Sequence, residues 1–315
     1  MNSLRMGDAK MLNLKQYQTW TKKRVHDYAL KYDVNSLLGR IDANPKLAKN
    51  AKQNALSVPM HLAPFDLSGF QVCASATSGC ASACLHSAGN PAYMAQKEKS
   101  RIARTKLYFA NRSLFIEMLR REIKLHIARA GKLGMQPAIR LNATSDIRWE
   151  NVLYHLGDRQ AQTLFTEFPN VQFYDYTKHA NRRNIPKNYH LTFSLAENNH
   201  AQALQAFRNG MNIAVVFDAK RGHDLPQVGH LMADGDDGVM AKIIDGDATD
   251  YRPGDEPGVF VGLRAKGDAI GDFSGFVHSA AKKWVQPIRA MSKPMGAPFE
   301  YIGSKRARVR KKLVA

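Results

Sequence analysis

The chain has 315 residues, 44% hydrophobic and 9% aromatic, enough to bury a sizeable core in one large domain or two ordinary ones. Its 46 Lys and Arg against 27 Asp and Glu give a net charge of +19, which speaks for a polyanionic partner and not about fold. No apolar run approaches the roughly 20 residues of a membrane helix, and the opening MNSLRMGDAKMLNLKQ lacks the charged-then-apolar order of a secretory signal. The expectation is a soluble cytoplasmic protein with no membrane association.

Residues 1–57 read as a basic helical arm. The stretch NPKLAKNAKQNALS offers Asn44 as N-cap and Pro45 at the first helical position, with Lys46, Lys49 and Lys52 along one flank. From HLAPFDLSGFQVC onward the pattern turns to strand followed by helix, with a short β-prone run expected to end at Cys73. Residues 92–130 then predict two helices meeting near FANRSLF, with Leu114, Phe115, Met118, Leu119, Ile123 and Ile127 forming a buried stripe. Arg101, Arg104, Lys106, Arg112, Arg120, Arg121 and Lys124 fill much of the remaining surface of those helices.

Six apolar, β-rich runs follow, at 137–146, 171–178, 189–198, 212–218, 241–247 and 259–267. Their alternation with longer intervening segments predicts a single α/β core over residues 58–285, either a partial or complete parallel barrel or an open sheet. Residues 286–315 form a basic tail. Basic groups outnumber acidic ones by 11 to 4 in residues 1–60, 11 to 3 in 97–132 and 10 to 1 in 282–315. Three separate basic segments favour nucleic acid as the partner, DNA or RNA, although no groove-reading motif accompanies them.

Several strand runs break into functional side chains at their carboxyl ends, which is where sites assemble in parallel α/β folds. Asn142 and Asp146, Asp175 and Lys178, Glu197, Asp245 and Asp247, and Lys266 are the candidates facing such a site. The segment DGDATD does not make an EF-hand, because Asp250 stands at the sixth place where that loop needs glycine. YDYTK and YHLT lack the paired histidines of a nicking enzyme, so Tyr174 and Tyr176 are read as packing residues and Asp175 with Lys178 as the site-facing pair.

All three cysteines fall within CASATSGCASACLH, at Cys73, Cys80 and Cys84. Three thiolates on a loop of small residues can hold three corners of a [4Fe-4S] cluster and leave one iron open, since Ala, Ser and Gly79 permit close backbone approach. Zinc bound by the three thiols and His86 is the rival reading. A three-cysteine loop after the first strand of an α/β barrel is similar to that of radical S-adenosylmethionine enzymes, which would imply S-adenosylmethionine as a second cofactor. The spacing here, Cys-x6-Cys-x3-Cys, departs from the Cys-x3-Cys-x2-Cys of those enzymes.

The ordered set CASATSGCASACLHSAGNP, RIARTKLYFANRSLF, IRLNATSDIRWE, VQFYDYTK, NYHLTFSLAENN and IIDGDATDYRPGDEPGVFVGLRAKG resembles the phage gene product 88 family over residues 58–278. That resemblance implies a phage or prophage origin, hence a host cytoplasm, and a shared cysteine loop. By position it carries over Cys73, Cys80 and Cys84, then Asn142, Ser145 and Asp146, Asp175 and Lys178, and Asp245, Asp247 and Asp250. It implies no particular reaction.

Overall fold

A computed structural model describes residues 11–39, 50–88, 94–280 and 287–288. In chain order its strands are Leu12–Asn13 (β1), Ala55–Pro59 (β2), Gln136–Arg140 (β3), Tyr154–His155 (β4), Gln172–Thr177 (β5), Tyr189–Ser194 (β6), Ile213–Phe217 (β7), Val228–Ala233 (β8), Asp236–Asp245 (β9), Phe260–Arg264 (β10), Val277–His278 (β11) and Pro287–Ile288 (β12). The helices are Lys15–Gln18 (α1), Lys22–Leu30 (α2), Ser78–Ser82 (α3), Met94–Ala110 (α4), Arg112–Lys132 (α5), Leu164–Glu167 (α6) and His200–Arg208 (α7). The two long helices meet where the sequence predicts. Asn111 leaves helical geometry and its side chain accepts the Leu114 N–H at 3.0 Å, capping α5.

The main sheet runs β12-β8-β9-β10-β7-β6-β5-β3-β2, with β1 and β4 as a separate parallel pair. Every neighbour in the main sheet is parallel except the β8–β9 hairpin, which turns at Asp234 and Gly235, the glycine at φ +73°. The mixed α/β reading therefore holds with a mostly parallel sheet, but the sheet is open. Among the described residues β2 and β12 end it without pairing, so the complete barrel is corrected. Strands β2, β3, β5, β6 and β7 do add one after another in a single direction. β7 is shared in an unusual way. Its Ile213 and Ala214 pair with β6, while Val216 and Phe217 pair with β11.

The first core strand is β2, buried along its whole length, and not the run before Cys73. Residue 57, the expected boundary of the arm, lies inside that strand, and Leu14, Tyr17, Val25 and Leu37 sit in the main core. In the described part of NPKLAKNAKQNALS the expected helix gives way to a 3-10 turn and then β2. Residues 50–53 make a short 3-10 turn before β2, and 40–49 lie outside the described residues, as does most of the basic tail.

Register assigns the two faces of the sheet. Val58, Ile139, Phe173, Leu191 and, farther along, Ile213, Val215 and Phe260 share one face, packed in the two large cores beneath the helices. Each such buried side chain contributes about 1.5–3 kcal/mol. The other face is polar over its centre: Ser57, Arg140, Tyr174, Tyr176, His190, Thr192 and Ser194 occupy it, with Ala138 and Ala214 between them. A turn at Arg252–Gly254 packs over β5 and β6 on that side.

Candidate metal centre and its surroundings

The cysteine loop is placed by contacts with three strand ends. From β2 the chain runs through residues 61–77 without regular structure and reaches α3, where Thr77 caps the helix by accepting the Cys80 N–H at 3.1 Å. Glu197, just beyond β6, accepts from Gly79 N at 2.7 Å and from Thr77 Oγ1 at 2.7 Å, binding the start of α3 to the sheet. A Cβ on Gly79 would stand 2.3 Å from Ser274 Oγ and 2.8 Å from the Glu197 carboxyl carbon, so glycine is required there. After Cys84, the Ser87 hydroxyl accepts the Asp268 N–H at 3.0 Å, tying the loop to the segment after β10.

The three thiols share one neighbourhood. Burial pushes the Cys73 thiol up to about 12, against a 3.5 Å hydrogen bond donated by Phe65 N, and the nearby Cys84, Asp146 and Cys80 raise it further. Burial also raises the Cys84 thiol, opposed by the backbone N–H of His86 and by the charges of Lys178 and Arg101. Cys80 packs against a small cluster of Ala83, Ala196, Ala269 and Phe276. As bare thiols Cys73 and Cys84 are held neutral. A coordinated metal reverses that balance, because a ligating thiol is deprotonated outright.

Among the described residues no three His, Cys, Asp or Glu side chains converge closely enough to hold a single ion. His86 contributes its backbone: its N–H faces Cys84 and its carbonyl accepts Arg101 Nη1 at 3.2 Å.

Asp146 and Lys178 lie beside the loop. Asp146 Oδ2 accepts Lys178 N at 2.8 Å, and Lys178 Nζ donates to Ser194 Oγ at 3.0 Å. His179, which sequence reasoning missed, links them: its Nδ1 accepts from Arg148 Nη2 at 3.1 Å and meets Ser75 Oγ at 3.0 Å, leaving Nε2–H toward Asp146, 3.9 Å away. Burial lowers its pKa, in keeping with that neutral form. Its only sequence signal was its place directly after YDYTK. Nearby, burial and then the charges of Arg101, Arg140, Arg104 and Lys97 push His61 down to about 3, so the rim beside Cys84 is strongly cationic.

The other candidates do different work. Asn142 is buried, and its Oδ1 accepts from Ser145 Oγ, Ile147 N and Trp149 Nε1 at 2.8–3.0 Å, which shapes the loop after β3. Asp175 is fully buried on the helix-packed face, accepting Asn142 N at 2.7 Å and Tyr189 Oη at 2.8 Å. The expected division holds for Lys178 but not for Asp175: alternation along β5 sends Asp175 into the core and places the buried Tyr174 with Tyr176 on the polar face. Asp245 and Asp247 pair with Arg264 at 2.8 and 3.3 Å, and Asp247 with Lys266 at 2.5 Å, so these three candidates brace β9 against β10. Asp250 holds Arg140 at 2.9 Å. Glu197 acts on the loop, as described.

The basic helices are less available than their composition promised. Arg120 is buried between Glu117 and Glu167, Arg121 pairs with Glu117 at 2.6 Å, and Arg104 donates to Ser36 O at 2.7 Å. Lys97, Lys99 and Lys106 remain exposed on α4. No helix among the described residues is long and apolar enough to cross a membrane.

No curated protein and no solved structure matches the chain. The family profile described as Gene product 88 matches residues 36–280, starting upstream of β2 and ending just past β11. That span takes in most of the sequence, the cysteine loop and every strand end around it, and on it the chain belongs to the phage gene product 88 family.

Proposed function

We propose that the chain is an iron-sulfur protein of phage or prophage origin in which Cys73, Cys80 and Cys84 hold a [4Fe-4S] cluster with one iron left to a non-cysteine ligand, and that it associates with nucleic acid. The observation carrying this reading is the common environment of the three thiols at the carboxyl edge of a parallel sheet. Cys73 and Cys84 each receive a backbone N–H, from Phe65 and His86, and Lys178 and Arg101 flank Cys84 with positive charge. N–H donors and cations are what a thiolate-ligated cluster needs around it. When bound, such a cluster supplies electron transfer and an open Lewis-acidic iron. Around it Glu197 orients α3, while Lys178 bridges Ser194 to the loop.

Anaerobic reconstitution with iron and sulfide tests the proposal. The expected result is about four irons and four sulfides per chain with a broad visible absorption near 400 nm, as for cuboidal clusters in general, lost when any one cysteine is changed to serine. A colourless protein carrying stoichiometric zinc would refute it. For nucleic acid, the support is the net charge of +19 and the exposed lysines of α4. Affinity for mixed-sequence DNA and RNA should fall steeply with salt. A salt-insensitive interaction would remove that half of the reading.

A second reading, an enzyme of the radical S-adenosylmethionine type acting on nucleic acid or a nucleotide, draws support from the sequential parallel strands β2, β3, β5, β6 and β7 with the loop at their carboxyl ends. Release of 5'-deoxyadenosine from S-adenosylmethionine by the reduced, reconstituted protein separates the two.

A further inference from the structure

The polar face of the sheet carries a concentration of buried polar atoms that the cysteine loop does not explain. Arg140 Nε, Tyr176 Oη, His190 Nε2, Thr192 Oγ1, Arg252 Nε and Nη1, and Asp255 Oδ2 are all buried and form no hydrogen bond within the described protein. These are seven atoms of six side chains, and they belong together. Tyr176 and Thr192 are register partners on β5 and β6, and His190 lies two residues before Thr192 on the same face. The Arg140 guanidinium lies 4.7 Å over the Tyr176 ring, and the Arg252 charge acts on both Tyr176 and His190. Thr192 and Arg252 are each 0% exposed.

Leaving one buried polar group unmatched is costly, and even the five that lack any ionic partner would together rival the net stability of an ordinary domain. Something must complete them. The chemistry of the set narrows what it is. Asp255 Oδ2 is 3.1 Å from Arg252 Nη1, an ion pair poorly aligned as a hydrogen bond, which accounts for those two atoms. The remainder are two arginine N–H groups, which only donate, and a threonine hydroxyl, a tyrosine hydroxyl and an imidazole nitrogen, each of which can donate. No acceptor-only atom is left among them. Two obligate donors and three groups able to donate, on guanidiniums that Asp250 and Asp255 engage through other nitrogens, suit an oxyanion, as arginine-lined sites for carboxylate and phosphate do.

We propose that this face is a binding site for the carboxylate or phosphate group of a small ligand, held by Arg252 and Arg140 and by the side chains of Thr192, Tyr176 and His190. The site lies on the sheet face that continues to Ser194 and Lys178, one alternation above Thr192, and so beneath the cysteine loop. It does not depend on what the cysteines hold. The Tyr251–Asp255 segment, part of the YRPGDEPG stretch, thereby acquires a role: it carries Arg252 onto the sheet.

The test is calorimetric titration of the full-length protein with inorganic phosphate and, separately, with acetate and succinate, at ionic strength fixed with chloride. One saturable site per chain is expected. Thr192→Val should weaken it by about tenfold, the loss of one well-made hydrogen bond to a charged group, without lowering the melting temperature of the unliganded protein. Arg252→Gln should abolish it. Phosphate saturating while the carboxylates do not, or the reverse, identifies the source of the oxyanion. Absence of saturable binding of any of the three would overturn the proposal, and so would Thr192→Val destabilising the protein with anion affinity unchanged, because the hydroxyl would then be satisfied by ordered water inside the fold. Thr192→Val is nearly isosteric, so the test survives if Arg252→Gln fails to fold.

Discussion

Replacing Gly79 by alanine probes how the cysteine loop is held. The new methyl would stand 2.3 Å from Ser274 Oγ and 2.8 Å from Glu197 Cδ and Oε2, distances that must open by about an ångström for ordinary contact. Ser274 cannot turn away freely, since its hydroxyl donates to Asp272 at 2.9 Å and accepts from Phe276 N at 3.2 Å. Nor can Glu197, which accepts from Gly79 N and Thr77 Oγ1 at 2.7 Å each. Overpacking costs about 1–3 kcal/mol, and losing one hydrogen bond to the carboxylate costs about 1.5–3. The better helix propensity of alanine returns up to about 1. The net expectation is a loss of about 1.5–6 kcal/mol, read as a lower urea midpoint with buried Trp149 as reporter. Cys80, the next residue, should also react faster with a thiol reagent in the native state. Gly131, in α5 with nothing within 4 Å of its would-be Cβ, serves as control, and Gly131→Ala should stabilise by about 0.5–1 kcal/mol. If Gly79→Ala unfolds at the wild-type midpoint with unchanged thiol reactivity, the contacts assigned to Glu197 and Ser274 do not hold the loop.

Arg120→Met should cost about 3–5 kcal/mol, because it strands Glu117 and Glu167 in the core without their shared cation; equilibrium unfolding measures it. Burial raises Asp175 from 3.8 to about 7, so the neutral carboxyl is favoured in the folded chain. Its contribution to stability is fully present below pH 3.8 and is lost as pH rises through about 7, by up to about 4 kcal/mol. Asp175→Asn should therefore gain on wild type between those pH values in parallel unfolding titrations; a constant difference across the range would contradict the assignment. Glu197→Gln keeps the shape of the side chain but removes its charge, and should weaken retention of iron by the reconstituted loop against a chelator while the far-ultraviolet spectrum stays native.

The strands buried on both sides announced themselves. β5, β6, β7 and β10 fall within, and β3 all but its first residue within, runs read from the sequence, because each central strand places an apolar residue at every second position in the core. β2 escaped because its five residues, ALSVP, are short and end in proline. The end of β9 lies in the run read at 241–247, whereas β8 and the start of β9 escaped despite their Asp-Gly turn, since VGHLMA and DDGVM hold too many polar and glycine residues to read as strands. That the three cysteines share one loop was legible, but the strand expected to lead into Cys73 does not form. Which polar residues serve that loop was not legible: Asn142, Asp175, Asp245 and Asp247 look like site residues by type and position, yet Asn142 is occupied by its own loop and the three aspartates by partners on other segments. Only pairing in three dimensions separates a carboxylate that waits for a ligand from one already neutralised. The same blindness hid Arg252, Thr192 and Tyr176, whose meaning comes from facing one another across strands.

The chain leaves the sheet after β6 so that Glu197 can cap α3, and the edge of β7 left behind is filled by β11, near the far end of the family's span. This has a consequence for biogenesis. The cysteines emerge early from a ribosome, but the contacts that enclose them come from residues 197, 268 and 274–276, more than a hundred positions later. Until that segment is synthesised the three thiols stand open to solvent and to oxidation; afterwards they are half-buried against it. For the proposed cluster, loading during synthesis and loading of the finished fold would be different events, and a chain cut before residue 268 would lack the contacts that partly cover the thiols.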